Sequence, residues 1–461
     1  MNETQFNRFP RIGVTRCTGL IALLGVVAGI ASIFALRHGF PITASSWGGW
    51  ECSVSLLQNG RYEYFGGSPC GPYSPLFSLY LAGFQIIFGI SGKTVSYAMA
   101  AIALLNFWSW SMYVLFLQRE FGLDVKVCQP STVLSLLLLF FLIVTEMISP
   151  YHNMLLLMLI PISIILSYKL IELRSMTELV FYAGLNMALL VVMCLAHYSA
   201  YVYIIPSFAI LIFNNRLSIP SRFITAFVAM ITTVLVCRIF TNPWIKSAGN
   251  MGLLDVYNGI GSGRYSPTEY LGQVIENFGH FWFPQDYAYY GGLFIIAFSV
   301  IFIIARNNKH IFGLVVRYPR SLYSVLYAAV SLCTIFVIYN VTTLDESLSL
   351  RFTWYAVFVM IPIIFALIPY HKKFATALVV SFFFATPLMR FSKYIIFGIM
   401  PEQPLSGKYR SNAILPEFYI SATDGLSVPK ISGSERVNPP NYIWIKRPLP
   451  FSRDGIDLII K

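Results

Sequence analysis

The sequence predicts an all-α polytopic membrane protein of about eleven transmembrane helices. Three observations carry this. The chain of 461 residues is 57% hydrophobic and 11% charged, with a mean hydropathy of +0.67, whereas soluble domains carry roughly 25% charged residues. Apolar runs near the roughly 17–25 residues of a spanning helix recur along most of its length. The basic residues also sort to one side of the alternating loops, as the positive-inside rule requires of cytoplasmic segments. The formal net charge of +12 then reads as cytoplasmic anchoring. No basic tract is interleaved with stacking aromatics, so no nucleic-acid partner is expected.

The first span is expected over 17–36. Arg8, Arg11 and Arg16 precede it and no small-residue cleavage site follows, so it reads as a retained helix with its N-terminus inside. The later spans are expected over 96–117, 131–148, 152–168, 179–196, 198–213, 223–240, 289–305, 321–339, 353–370 and 374–389. The run Leu76–Ile90 is shorter and carries Ser74, Ser78 and Gln85 as a polar stripe on one helical face. Charge decides its placement. If it does not span, the cytoplasmic loops after the second helix hold twelve basic residues, among them Arg119, Lys169, Arg222, Lys309 and Lys372. The opposite loops up to the tenth helix then hold three: Lys246, Arg264 and Arg351. If it spans, the two sets exchange sides. The run is therefore expected to lie at the outer interface as a juxtamembrane helix.

This scheme makes 1–389 a transmembrane module with large exoplasmic loops at 37–95 and 241–288. Residues 390–461 form a small exoplasmic appendage, where "NYIWIKRPLP" reads as a strand and "RDGID" as an Asp-Gly turn. The localisation expected is an integral membrane protein of a bacterial inner membrane, N-terminus inside and C-terminus outside. The seven cysteines follow no zinc spacing. Cys17, Cys128, Cys194, Cys237 and Cys333 lie in spans or near inner ends, while Cys52 and Cys70 share the first exoplasmic loop. An oxidising compartment permits a Cys52–Cys70 bridge; two free thiols are the alternative.

That first loop reads "ECSVSLLQNGRYEYFGGSPCGPYSPLFSLYLAGFQIIFG" from Glu51 to Gly89. An amphipathic helix ending in Leu-Leu-x-x-Gly, an extended piece, a Gly-Pro segment and an apolar helix ending in Phe-Gly resemble the first loop of GT-C-class membrane glycosyltransferases. The likeness is to the branch with the bacterial aminoarabinose and mannosyl transferases. "LFLQREFG" (115–122), "MISPYHNMLLLMLIPISIILSYKLIE" (147–172) and "CLAHYSAYVYIIPSFAILI" (194–212) extend it over roughly residues 15–215. Two positions depart from the pattern. Ser45 and Ser46 stand where the family begins its loop with Asp, and Asn153 stands where it often has a second acid.

The resemblance implies transfer of a sugar from a polyprenyl-phosphate donor to a glycan, lipid or protein acceptor at the outer face. Such a reaction needs a base for the acceptor and cationic stabilisation of the leaving phosphate. Glu51 is the first candidate base, on the helix face it shares with Ser55 and Gln58, and Glu63 is the second. A solvated-face role is the alternative for Glu51. The donor phosphate is expected to meet His197, where the family pattern has Lys, with Arg351 and Arg264. The competing roles are helix capping for His197, a salt bridge to Asp345 or Glu346 for Arg351, and a flexible Gly-rich lid for the loop around Arg264. The loop 241–288 is rich in aromatic residues, which suit either sugar faces or an interfacial belt. Asp255, Glu269, Glu276 and Asp286 are the acids available to a divalent metal, but no His/Asp spacing specifies one, so no cofactor is assigned.

Other classes compete. A polysaccharide polymerase or ligase would use the same carriers but usually carries its main outer loop late. A transporter of lipid-linked sugars would call for ionisable groups inside the spans, and the span cores hold almost none. A catalytically inactive relative acting as a scaffold fits the missing Asp.

Overall fold

The computed structural model describes residues 16–35, 41–42, 44–63, 70, 74–90, 92–120, 129–146, 153–172, 175–214 and 217–246. It adds parts of 268–294 and 355–388 and the strands 418–421 and 425–427. The described chain is mostly helical. In order it forms α1 (Arg16–Ala35), β1 (Pro41–Ile42), α2 (Ala44–Asn59), α3 (Pro75–Phe88), α4 (Gly92–Glu120), α5 (Pro130–Glu146), α6 (Asn153–Glu172) and α7 (Met176–Ala196). A 3-10 turn (Tyr198–Tyr203), α8 (Ile204–Ala209), a second 3-10 turn (Ile210–Phe213), α9 (Ile219–Lys246), β2 (Phe418–Ser421) and β3 (Gly425–Ser427) follow.

Four helical stretches are long and apolar enough to cross a membrane: Thr94–Arg119, Asn153–Ile171, Thr177–Ala196 and Ile219–Trp244. They fall on expected spans. Cys17–Ile33 and Pro130–Val144 are shorter apolar helices, again at expected spans. The expected spans 289–305, 353–370 and 374–389 are described only in part, and 321–339 lies outside the described residues.

The expected span 198–213 also falls on an apolar helical stretch, Tyr198–Ile212, but an irregular one in which 3-10, α and 3-10 pieces abut. Pro206 has no N–H to bond back into the preceding turn, which disfavours a regular helix there. A backbone group freed within a bilayer must find another partner. Asn186 of α7 braces the stretch just beyond the proline, donating through Nδ2 to the Ser207 carbonyl at 3.3 Å and to Ser167 Oγ at 3.2 Å.

The packing follows from small residues in α1. A Cβ at Gly25 would collide with the Trp108 indole of α4, and one at Gly29 would press on the Ala100 carbonyl at 3.4 Å. Gly25-x-x-x-Gly29 thus lets the two helices approach closely, as small residues four apart do in membranes. Away from that contact α1 exposes Leu23, Val26 and Ile30. In α9 the outward side includes Phe223, Phe227, Leu235 and Ile239. Such faces suit a lipid solvent.

α3 is 14 residues long, about 21 Å at 1.5 Å per residue, short of the roughly 30 Å hydrocarbon core. Its polar stripe faces the protein: Ser74, Ser78 and Gln85 are buried, while Leu79, Ile86, Ile87 and Phe88 are exposed. Two glycines of the first-loop pattern perform turns. Gly60 ends α2 at φ 66° and Gly89 ends α3 at φ 79°, a backbone region open to glycine.

Three short strands add to the helices. β1 pairs antiparallel with β2, matching Pro41 to Tyr419 and Ile42 to Phe418, and β2 pairs antiparallel with β3. The ladder therefore joins the start of the first large loop to the C-terminal region. Cys17 is also disulfide-bonded, a bridge that the sequence pattern does not announce; its partner lies outside the described residues.

Candidate functional site

α4 and α6 run side by side in the same direction. Asn106 Nδ2 donates to the Met154 carbonyl at 3.1 Å, Ser109 Oγ to the Met158 carbonyl at 2.6 Å, and the Phe116 and Tyr168 rings meet at 4.8 Å. α6 therefore begins level with Asn106. That is about 20 Å along α4 from its own start at Gly92, at the helical rise per residue. The start of α6 is recessed, and α2 and α3 pack at the end of the bundle where α4 begins.

Asn153 opens α6 at this recess and is fully buried. Its Nδ2 donates to the Tyr355 hydroxyl at 3.0 Å, and its Oδ1 has no partner. The Tyr355 ring meets Tyr203 edge-on at 6.5 Å. Phe358, one turn on, packs against Trp110 of α4 at 5.4 Å. Three distant segments thus converge: the start of α6, the turn after His197 and the segment after Arg351.

His197 sits where α7 ends and the 3-10 turn begins. Its Nδ1 accepts the Ser199 backbone N–H at 3.1 Å and lies 2.6 Å from Ser199 Oγ. It is buried and caps the turn. A ring nitrogen that accepts an N–H carries no proton, so the ring proton of the neutral imidazole resides on Nε2. In the same turn, Tyr201 OH lies 2.7 Å from Thr241 Oγ1 of α9.

The first loop is tied down at the same end. Cys52 and Cys70 are bridged, with Cα atoms 6.2 Å apart, within the usual range for a disulfide. The Cys70 N–H donates to the Tyr62 carbonyl at 3.2 Å. Tyr62 wedges inward: its ring meets Trp244 of α9 edge-on at 5.1 Å, and its hydroxyl lies 3.4 Å from Ser78 Oγ of α3. Burial pushes the Tyr62 phenol well above its ordinary range, with the Ser78 contact acting weakly the other way. Tyr62 is therefore a neutral hydroxyl, not a base. A Cβ at Gly49 would press on the Phe77 ring at 2.8 Å, so that glycine seats α2 on α3. Trp50, Val54, Phe77 and Leu81 belong to one core cluster. Ser55 Oγ and both amide atoms of Gln85 are buried without hydrogen-bond partners.

The predicted site residues are distributed as follows. Cys52 and Cys70 are brought together. His197 takes the capping role named as its alternative, through Nδ1. Glu63 is half-buried in the extended piece beside Tyr62. Glu51 lies within α2, one turn before Ser55, but its side chain lies outside the described residues, as do Arg264 and Arg351. Among the described residues no three His, Cys, Asp or Glu side chains gather as metal ligands. Tyr355 and Tyr203 were missed by sequence reasoning. Tyr203 occupies an apolar run, and nothing local marks Tyr355 as the partner of Asn153 or Tyr203 as the neighbour of Tyr355.

The described helices define an integral membrane protein. No protein-family model matches the chain, and no curated protein matches its sequence. Among solved structures the chain is similar to ArnT from Cupriavidus metallidurans in the apo state, with 13% identity, a TM-score of 0.53, and coverage of 84% of this chain and 67% of that one. The likeness is one of fold.

Proposed function

We propose that the chain is a GT-C-type membrane glycosyltransferase that moves a sugar from a polyprenyl-phosphate donor to an acceptor at the exoplasmic face of a bacterial inner membrane. The ArnT-like fold over most of the chain carries this reading. The contact of the turn that follows His197 with Tyr355, through Tyr203, supports it. Arg351 stands four residues before Tyr355, within about 14 Å of chain reach.

In the reaction, Glu51 takes the proton from the acceptor hydroxyl, with Glu63 next in line. The acceptor oxygen attacks the anomeric carbon of the donor sugar. The bond from that carbon to the phosphate oxygen breaks, and its electron pair leaves on polyprenyl phosphate. His197 donates from Nε2 to a phosphate oxygen, and Arg351 and Arg264 supply positive charge as the leaving group develops its own.

A second reading, an inactive GT-C relative acting as a scaffold, draws on Asn153. That position presents an amide bonded to Tyr355 where the family often has an acid. The deciding experiment reconstitutes the full chain in liposomes with a panel of labelled polyprenyl-phosphate sugars and follows release of polyprenyl phosphate. Release that depends on Glu51 or Glu63 supports the enzyme. No release from any donor, with a folded chain, favours the scaffold.

A further inference from the structure

Arg238 is the charged residue of α9 that falls inside an expected span, 223–240. It is exposed, and it makes no hydrogen bond or ion pair among the described residues. A charged side chain at membrane depth calls for a partner.

Its neighbours say which partner fits. Ile231, Val234, Arg238 and Asn242 follow one another at steps of three and four, so they form a row on one side of the helix. Ile231 and Val234 are exposed and apolar, and Asn242 is half-buried. The buried side of α9 is a different one, set by Thr233, Cys237 and Thr241. Thr241 Oγ1 meets the Tyr201 hydroxyl at 2.7 Å, so the row flanks the turn after His197 and looks outward. At the helical rise, Ile231 stands about 10 Å below Arg238 and Trp244 about 9 Å above it. Trp244 packs on Tyr62 of the first loop at 5.1 Å, and such tryptophans mark the headgroup level. From Ile231 to Trp244 is thus about 20 Å, half of the roughly 40–45 Å of a bilayer with its headgroups. The row reads apolar, apolar, cation, amide, which is the order of a phospholipid from acyl chain to headgroup.

We propose that this row binds one anionic phospholipid of the leaflet at the Trp244 end, with Arg238 holding its phosphate. The guanidinium donates in a bidentate way to two phosphate oxygens. The Asn242 amide adds a donor above, and an acyl chain lies along Val234 and Ile231. Charge selects the occupant, because a headgroup with a net negative charge neutralises the arginine and a zwitterion does not. The row is open to the bulk leaflet, where phospholipid is the abundant phosphate. This inference is independent of the glycosyltransferase reading.

The test places the full chain in phosphatidylcholine nanodiscs containing a small share of phosphatidylglycerol that carries a diazirine midway along one acyl chain. After illumination the chain is digested and the adducts are mapped. A phosphatidylcholine probe of the same build is the reference. The expected result is labelling of the peptide carrying Ile231 and Val234, about fivefold stronger from the phosphatidylglycerol probe, the worth of one basic residue near anionic lipid. Arg238→Gln brings the two probes level, with the thermal midpoint unchanged because the side chain is exposed. Arg238→Lys, which keeps the charge, keeps the preference. Equal labelling by both probes in the wild type overturns the proposal, as does a preference that survives in Arg238→Gln. Displacement of the label by polyprenyl phosphate, at a concentration where unlabelled phosphatidylglycerol has no effect, also overturns it and assigns the row to the lipid carrier.

Discussion

Asn153 and Tyr355 stand 202 positions apart in the chain, yet the Asn153 amide nitrogen lies 3.0 Å from the Tyr355 hydroxyl in a fully buried contact. The bond fixes the segment after Arg351 to the start of α6. Tyr355→Phe removes the acceptor and strands the buried amide N–H. A buried donor without a partner costs about 1–3 kcal/mol, so thermal unfolding in detergent should register a loss of that size. Asn153→Leu, which removes the polar group as well, should cost less when combined with Tyr355→Phe than the sum of the two singles.

The Cys52–Cys70 bridge closes a short loop, with a sequence separation of 18. The chain-entropy account gives about 3 kcal/mol for loops near this length. Cys52→Ser/Cys70→Ser should lower the thermal midpoint and make residues 60–70 exchange amide protons faster. Unchanged exchange there would mean that Tyr62 alone holds the strap.

Tyr62 predicts the direction of an alkaline effect. Its phenol is raised by burial, so the folded chain keeps the proton after the unfolded chain has lost it. Above the ordinary tyrosine value of about 10 the unfolded state binds fewer protons, and stability falls as pH rises. Below that value the contribution is fully present. Denaturant unfolding of wild type and Tyr62→Phe should therefore converge between about pH 10 and 12, with the wild type falling more steeply.

Gly25 is the point of closest approach between α1 and α4. Gly25→Leu forces a side chain into the Trp108 indole, and overpacking of this kind costs about 1–3 kcal/mol. Gly19→Leu, on the same helix with nothing within 4 Å of the added carbon, should be nearly neutral. The pair of melting temperatures separates packing from helix propensity.

Under the proposed chemistry, Glu51→Gln preserves shape and removes basicity. Sugar transfer from the best donor of the panel should fall about 10²–10⁴-fold, the usual worth of a general base, with the melting temperature unchanged. If Glu63→Gln shows that loss and Glu51→Gln does not, the base is in the extended piece and not on α2.

The spans were legible because a bilayer demands long apolar runs, and α4, α6, α7 and α9 answer with them. α3 was legible for a related reason: its polar stripe marked the side that faces protein. The Leu-Leu-x-x-Gly and Phe-Gly endings were legible as a pattern, and the positive φ of Gly60 and Gly89 gives the pattern its cause. The irregular winding of 198–213 was hidden, since hydropathy counts side chains and not the N–H that Pro206 lacks. Gly25 and Gly29 were passed over as ordinary apolar positions, because their role exists only against Trp108 and Ala100. For the site, a shared exoplasmic loop allowed Cys52 to be paired with Cys70, but no local signal could pair Asn153 with Tyr355. Tertiary contacts across some two hundred residues leave no trace in a single sequence.

The ladder from Pro41 and Ile42 to Phe418 and Tyr419 also sets an order of assembly. The ribosome completes β1 well before its partner strand exists. At roughly 5–20 residues per second, β1 waits some tens of seconds, while most of the membrane helices are threaded. The Cys52–Cys70 clasp needs no such delay, since both cysteines emerge almost together. The first loop can therefore be fastened to itself early, and its final hydrogen bonds form only once the tail has been delivered to the same side. A chain truncated before residue 418 would leave that edge open, a strand with no neighbour on which to end.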